Sequence, residues 1–264
     1  MERQQKYEAL ISTLEGYGRV AVAFSGGVDS SVLLYAARQA LGHENVFVLH
    51  GVSELVSRTE RNHAVTILDE LGVDQEMRVD VELNPLNWPE FVINTAFRCY
   101  FCKKRMYQKF LVESLKRDCA ALLDGSNVDD LKKSRPGFRA IHELGVETPL
   151  LNAELNKEEI RSIACGFQLS NHDKVSNSCL ATRFSEGMIL DKEGLALVEK
   201  CEAFLFSHDF AGCRVQPTPE KNVVLHVAER DMERLLVSAE RADIIGFFKF
   251  VGFGRVLVDL ESRQ

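Results

Sequence analysis

Short apolar runs alternate with longer amphipathic stretches through the first half of the chain. Period-2 or continuous apolar segments predict strands near residues 19–24, 45–50, 76–81 and 119–124. Apolar positions at helical spacing predict helices near 2–16, 29–41, 58–71 and 100–117. Strand and helix in strict alternation imply right-handed crossovers, so the fold class expected is α/β, a doubly wound, mostly parallel sheet. Ligands of such sheets bind beyond the carboxyl ends of the strands, where the segments 25–31, 50–53 and 124–130 should line one crevice. Asn156 is placed to cap a following helix. From His172 to Leu190 periodicity is weak and polar residues are many, as in long functional loops. After about residue 191 a smaller α+β unit is expected, with a helix over 192–208, strands near 213–216 and 222–228, a helix from 229 and a strand over 255–260. The expected division is therefore 1–170 and 171–264.

The first turn carries the sharpest chemical signal. The strand ending at Phe24 runs into Ser25-Gly26-Gly27-Val28-Asp29-Ser30-Ser31, and an alanine-rich helix pattern follows at once. Two glycines permit positive φ and close approach of backbone N–H groups to an anion. The helix behind them directs its positive dipole end to the same place. Ser25, Ser30 and Ser31 add hydroxyls, and Asp29 can orient a metal ion such as Mg²⁺ or the loop itself. No lysine follows the glycines, so this is not the Walker pattern; nor is it G-x-G-x-x-G. The loop resembles the PP-loop of ATP pyrophosphatases, which implies ATP cleavage between the α and β phosphates. Asp124-Gly125-Ser126-Asn127 after the fourth strand reads as a second wall for ATP, with Gly125 and Asn127 facing the nucleotide. The stretch from Lys132 to Arg139 reads as a basic, flexible loop, either simply solvated or neutralising substrate phosphates.

Composition narrows the class. Of 264 residues, 45% are hydrophobic and 27% charged, an ordinary globular balance. A formal net charge of −7 argues against broad nucleic-acid binding, which needs a basic surface. No apolar run reaches membrane-spanning length; the nearest, Ile244 to Gly254, is broken by Lys249. These features, with no signal-peptide core at the start, predict a cytoplasmic protein. Seven cysteines do not suit a full disulfide framework. Cys119, Cys165, Cys201 and Cys213 lie in apolar patterns and are expected to be buried.

The other three cysteines differ. Cys99 and Cys102 stand one turn apart at the start of a helix, and Cys179 lies in the irregular stretch. Cys-x-x-Cys alone fits a redox dithiol, half a zinc site or half an iron–sulfur site. Three cysteines can anchor a [4Fe–4S] cluster and leave one iron open.

Together, Phe24–Ser31, Arg98-Cys-Tyr-Phe-Cys-Lys103, Leu123-Asp-Gly-Ser-Asn127, Arg135-Pro-Gly137, Glu159-Ile-Arg161, Asp173-Lys174 and Ser178-Cys-Leu-Ala-Thr-Arg183 resemble the LarE family of ATP-dependent sulfur transferases. The resemblance implies a PP-loop domain with a small C-terminal domain, homo-oligomeric assembly, and ATP, Mg²⁺ and, in one branch, a [4Fe–4S] cluster as cofactors. It implies adenylation of a carboxylate on a pyridinium mononucleotide, then displacement of AMP by sulfur to give a thiocarboxylate, in nickel-pincer nucleotide synthesis. Within the family the sulfur comes either from a cysteine at the position of Cys179, left as dehydroalanine, or from the cluster held at the positions of Cys99, Cys102 and Cys179. The presence of all three favours the cluster. Arg183, four residues after Cys179, reads either as a holder of the substrate phosphate or as half of a surface ion pair; Arg214 lies where the family shows an Arg-rich C-terminal strand and is expected at the substrate phosphate, and Arg263 lies near the family's closing arginine. This chain departs from the family at His172, at Val175, at Phe184-Ser-Glu-Gly187 and at its C-terminus, around the presumed acceptor pocket.

Overall fold

The computed structural model describes residues 2–132, 136–174, 177–237 and 240–261. The chain forms two compact units, one of residues 2–84 with 96–174 and one of 85–95 with 177–261.

The first unit opens with α1 (Arg3–Glu15), β1 (Val20–Phe24), α2 (Val28–Leu41), β2 (Val46–Val52), α3 (Arg58–Glu70) and β3 (Arg78–Glu82). All four strands of its sheet, in the order β3-β2-β1-β4, are parallel. Here β4 is Ala121–Leu123. Every residue of β1 is buried, as expected for a central parallel strand covered on both faces. By contrast β3, Arg-Val-Asp-Val-Glu, is a polar edge on which only Val81 is buried. The core runs from Leu10 and Leu14 of α1 through Val20 and Val22 of β1 and Leu33 and Leu34 of α2 to Ile160 and Ala164 further on. Strand order reverses between β1 and β4, so the turn after β1 lies at the topological switch point, where doubly wound sheets bind their ligands.

In the second unit, α4 (Pro89–Val92) precedes a crossing into the first, where α5 (Arg98–Leu115), α6 (Val128–Leu131), α7 (Pro136–Glu143), α8 (Pro149–Asn152) and α9 (Lys157–Gly166) complete the helical layers. The second unit resumes with a short 3-10 turn at Leu180–Arg183 and α10 (Lys192–Ser207). A mixed sheet of β5 (Arg214–Pro217), β6 (Val223–His226) and β7 (Val256–Val258) follows, with α11 (Glu229–Val237) and α12 (Glu240–Phe250) between its last two strands. Its own core gathers Cys201, Leu205, Phe210, Val215, Leu225 and Phe248. Among the described residues no helix is long and apolar enough to cross a membrane.

Two sequence expectations are corrected. The stretch read as a basic loop is helical from Pro136, whose fixed φ suits the first position of a helix; Lys133, Ser134 and Arg135 lie outside the described residues. Ala140 and Ile141 are buried and drive that helix onto α5, a tertiary reward invisible in a run of basic residues. Cys165 is exposed rather than packed. Ile160, Ile163 and Ala164 make the buried face of α9, and the next residue along the helix turns outward.

Candidate nucleotide and sulfur sites

The turn from β1 to α2 is a shaped cradle. Gly26 has φ +75°, and a Cβ there would stand 2.8 Å from the Cβ of Ala64 on α3. Only glycine allows both the backbone and the close packing. Gly27 caps α2, and its carbonyl accepts from the hydroxyls of Ser30 (2.9 Å) and Ser31 (3.0 Å). Val28, Ser30 and Ser31 are buried, while Ser25 and Gly27 are exposed. The exposed rim therefore presents backbone N–H groups and one hydroxyl at a helix N-terminus, the arrangement that holds phosphate.

The second wall touches the first. A Cβ on Gly125 would meet Ser30 N at 3.0 Å, so the loop after β4 lies directly on the first turn of α2. Asp124 fixes that loop: its Oδ1 accepts from the amide (2.8 Å) and hydroxyl of Ser126, and its Oδ2 accepts from the hydroxyl of Tyr107. Tyr107 is fully buried on α5, and burial beside Asp124 pushes its phenol well above the ordinary range. Asn127 caps α6 by accepting from Asp129 N at 2.9 Å. The helix carrying Cys99 and Cys102 is thus bonded to a loop that contacts the nucleotide cradle.

Three residues of this region had no place in the sequence reading. Asn171, fully buried, donates to Gly26 O (3.0 Å) and Ser31 Oγ (2.9 Å) and braces the cradle from behind. Lys157, the first residue of α9, places Nζ 2.5 Å from Asp29 Oδ2. Burial pushes the Asp29 carboxyl up, and the Lys157 ammonium opposes that shift. Tyr107 is the third. Of these, Lys157 left a trace in the sequence, a cation directly after an N-cap, where the helix dipole disfavours it. Lys174 of the Asp-Lys pair is held by Glu60 of α3 at 2.8 Å.

Cys99 is exposed and Cys102 partly so, at the first turn of α5. Residues three apart share one helical face, so the two sulfurs lie on the same side. The N-terminal end of α7 packs here; a Cβ on Gly137 would approach Lys103 Cδ at 2.9 Å and Cys99 O at 3.4 Å. Neither thiol is in a disulfide, nor is any of the other five cysteines. Among the described residues no three His, Cys, Asp or Glu side chains form a metal-binding group.

In the second unit Cys179 caps the 3-10 turn and is partly exposed. Arg183, 2% exposed, holds that turn from beneath. Its Nη1 donates to Ser178 O (3.0 Å), Ser178 Oγ (2.8 Å), Thr182 Oγ1 (2.9 Å) and Cys179 O (3.3 Å). Nη2 donates to Asn177 Oδ1 at 3.0 Å. Nε and Nη2 pair with the Glu202 carboxylate at 2.7 and 3.1 Å, and Glu202 also accepts from Val215 N. The sequence left Arg183 between a substrate phosphate and an ion pair; in the structure all three of its nitrogens bond the turn and Glu202 of α10, as a buried guanidinium must be satisfied where it lies. Arg214 opens β5, half buried and in register with His226.

Residues 8–86 match the NAD synthase family. A pyridinium-3,5-bisthiocarboxylic acid mononucleotide synthase of Lactiplantibacillus plantarum is 32% identical over 211 residues, 80% of this chain and 75% of that enzyme. The chain belongs to the LarE family. It is accordingly an ATP-utilising enzyme, a sulfurtransferase. An uncharacterized protein of Synechocystis sp. is 29% identical over 262 residues, covering 99% of this LarE-family chain and 96% of its own length. An NH(3)-dependent NAD(+) synthetase of Chlorobaculum tepidum is 39% identical over 62 residues only, 24% of this chain and 22% of that enzyme, so the likeness is confined to a fraction of each protein.

Proposed function

We propose that this enzyme activates a carboxylate of a pyridinium mononucleotide with ATP and converts it to a thiocarboxylate in the cytoplasm. The observation that carries the reading is the cradle of Ser25–Ser31 closed by Gly125, in a chain similar over most of its length to a pyridinium-3,5-bisthiocarboxylic acid mononucleotide synthase. The carboxylate oxygen bonds to the α-phosphorus as the bond to the β-phosphate breaks, and pyrophosphate leaves with the electron pair. Ser25 and the Gly27 amide face the phosphates, Asn127 and Gly125 close the opposite side, and Asp29 is the ligand for Mg²⁺. Its Oδ1 is buried with no hydrogen-bond partner among the described residues, a donor set suited to that hard cation. Arg214, half buried on β5, is assigned to the substrate phosphate.

For the sulfur, Cys99, Cys102 and Cys179 are the residues that would hold a [4Fe–4S] cluster. Two cysteines at i and i+3 on one helical face, neither in a disulfide, fit two of its irons. Such a cluster supplies an open iron able to carry a transferable sulfide. A second reading has its own support, because Arg183, paired with Glu202, braces the Cys179 turn from within the protein. There the Cys179 thiolate displaces AMP to form a thioester; loss of the Cα proton then breaks the Cβ–S bond, leaving thiocarboxylate and dehydroalanine.

Anaerobic purification with iron and sulfide analysis, followed by separate Cys99→Ala, Cys102→Ala and Cys179→Ala variants, tests both. Iron lost from each variant supports the cluster. Mass spectrometry showing Cys179 without the elements of H₂S after turnover supports sacrifice. An iron-free, active enzyme with Cys179 intact overturns both routes.

A further inference from the structure

We propose that Ser185 binds the acceptor's phosphate beside Arg214, its hydroxyl aimed by a hydrogen-bonded chain running through Gln216 and His226 to Asp259. The assignment rests on the pyridinium mononucleotide acceptor given above and names the residues that would select it. All four members of the chain lie in the second unit. Asp259 Oδ2 stands 3.0 Å from His226 Nδ1, and His226 Nε2 is 2.9 Å from Gln216 Oε1. The amide nitrogen of Gln216 then donates to Ser185 Oγ at 3.2 Å.

Three features point this chain at a ligand. First, it runs along one face of the small sheet. Arg214 of β5 is paired directly opposite His226 of β6, and Gln216 follows two residues after Arg214, so the three side chains share a face. The opposite face, with Val215, Val223 and Leu225, is buried in the core of the unit. Second, the chain has a direction. The amide nitrogen of Gln216 is spent on Ser185, which turns the amide oxygen toward His226. The Ser185 hydroxyl already accepts a hydrogen bond, so its own proton is directed elsewhere, and Ser185 is exposed. A hydroxyl donor near a guanidinium suits a phosphate oxygen, because bonds to a charged acceptor are the strong ones. Third, the end of the chain is pinned. Asn94, 1% exposed and held at φ +54°, donates to Ser185 O at 2.8 Å, and its own carbonyl accepts from Gly187 N at 2.9 Å. Tying a half-buried glutamine at both ends costs rotamer freedom. What that cost secures is a hydroxyl with a set aim.

Calorimetric titrations of the full chain with nicotinic acid mononucleotide, its phosphate-free riboside and ATP test the assignment. Loss of one hydrogen bond to a charged oxygen in Ser185→Ala should weaken the mononucleotide about 10- to 100-fold and leave riboside and ATP affinities as they were. Ser185→Thr keeps the hydroxyl and should keep the preference for mononucleotide over riboside. His226→Phe unhooks the chain and should lose part of that preference. Combined with Ser185→Ala it should add nothing further, because the histidine acts through the hydroxyl. Equal loss of mononucleotide and riboside in Ser185→Ala, or unchanged affinity for both, overturns the role of Ser185. No loss in His226→Phe, or additive losses in the double variant, overturns the chain that aims it. An unaltered protein that binds ATP but neither pyridinium probe overturns the acceptor reading, and this inference with it.

Discussion

The Ser25–Ser31 cradle and the Cys179 turn both hold a few reactive-looking residues outward, but by opposite means. The cradle is built from absence: Gly26 and Gly125 lack a Cβ, so α3 and the β4 loop close on it, and its internal hydrogen bonds are neutral ones from Ser30, Ser31 and Asn171. The Cys179 turn is built from one buried charge, with Arg183 gathering five acceptor atoms of residues 177–182 and handing the excess charge to Glu202. The cradle's outward amides rest on its own serines by long bonds, Ser25 N on Ser30 Oγ at 3.3 Å and Gly27 N on Ser25 Oγ at 3.4 Å. A segment that presents a thiol can spend its own carbonyls on a strut.

The contrast can be broken most forcefully at Arg183. Removing one partner of a buried pair strands the other, so Arg183→Met should cost about 3–5 kcal/mol, read from denaturant unfolding, whereas Arg183→Lys should recover part of it. If Arg183→Met unfolds like the unaltered protein, the strut is not holding the turn. At the cradle, Gly26→Ala combines a left-handed backbone with a clash against Ala64 and should cost about 2–4 kcal/mol, with ATP binding lost in the same titration. Tyr107→Phe removes a partner of the buried Asp124 and should cost about 1–3 kcal/mol; an unchanged midpoint would mean that the link from the cysteine helix to the β4 loop bears no weight. The smallest effect belongs to the exposed group on α5 and α7. There hydrogen bonds from Tyr100, then Arg139 and Lys104, hold the Glu143 carboxyl down at about 2. Because the folded value lies below the unfolded one, this contribution is present above the ordinary carboxylate range and fades as pH falls toward 2. A carboxyl titration by NMR should find its midpoint near there, and a midpoint in the ordinary range would remove the cluster from the account.

What the sequence revealed tracks how local the cause is. The strands at Val20–Phe24 and Val46–Val52 and the Asn156 cap are set by neighbours within a few residues, and each could be read directly. The loop motif was legible for the same reason, because glycine and serine spacing is itself the geometry. Lys157 reaching Asp29, Asn171 reaching Gly26 and Arg183 reaching Glu202 depend on chain segments 128, 145 and 19 residues apart. No periodicity encodes those distances. The helix from Pro136 was hidden differently: its basic residues suggested a solvated loop, and only the burial of Ala140 and Ile141 explains its folding.

The outward turn of Cys165 has a practical consequence for any assay that reads thiols. Bulk thiol counting or maleimide labelling reads accessibility, and Cys165 on α9 will answer alongside Cys99 regardless of sulfur transfer. Cys201, by contrast, is buried with its thiol pushed up to about 12 and stays silent at neutral pH. A Cys165→Ser background would remove that constant signal. Conversely, a dye placed on Cys165 would sit on the helix that begins with Lys157, a fixed optical label from which occupancy of the cradle could be followed without touching the three cysteines assigned to the chemistry.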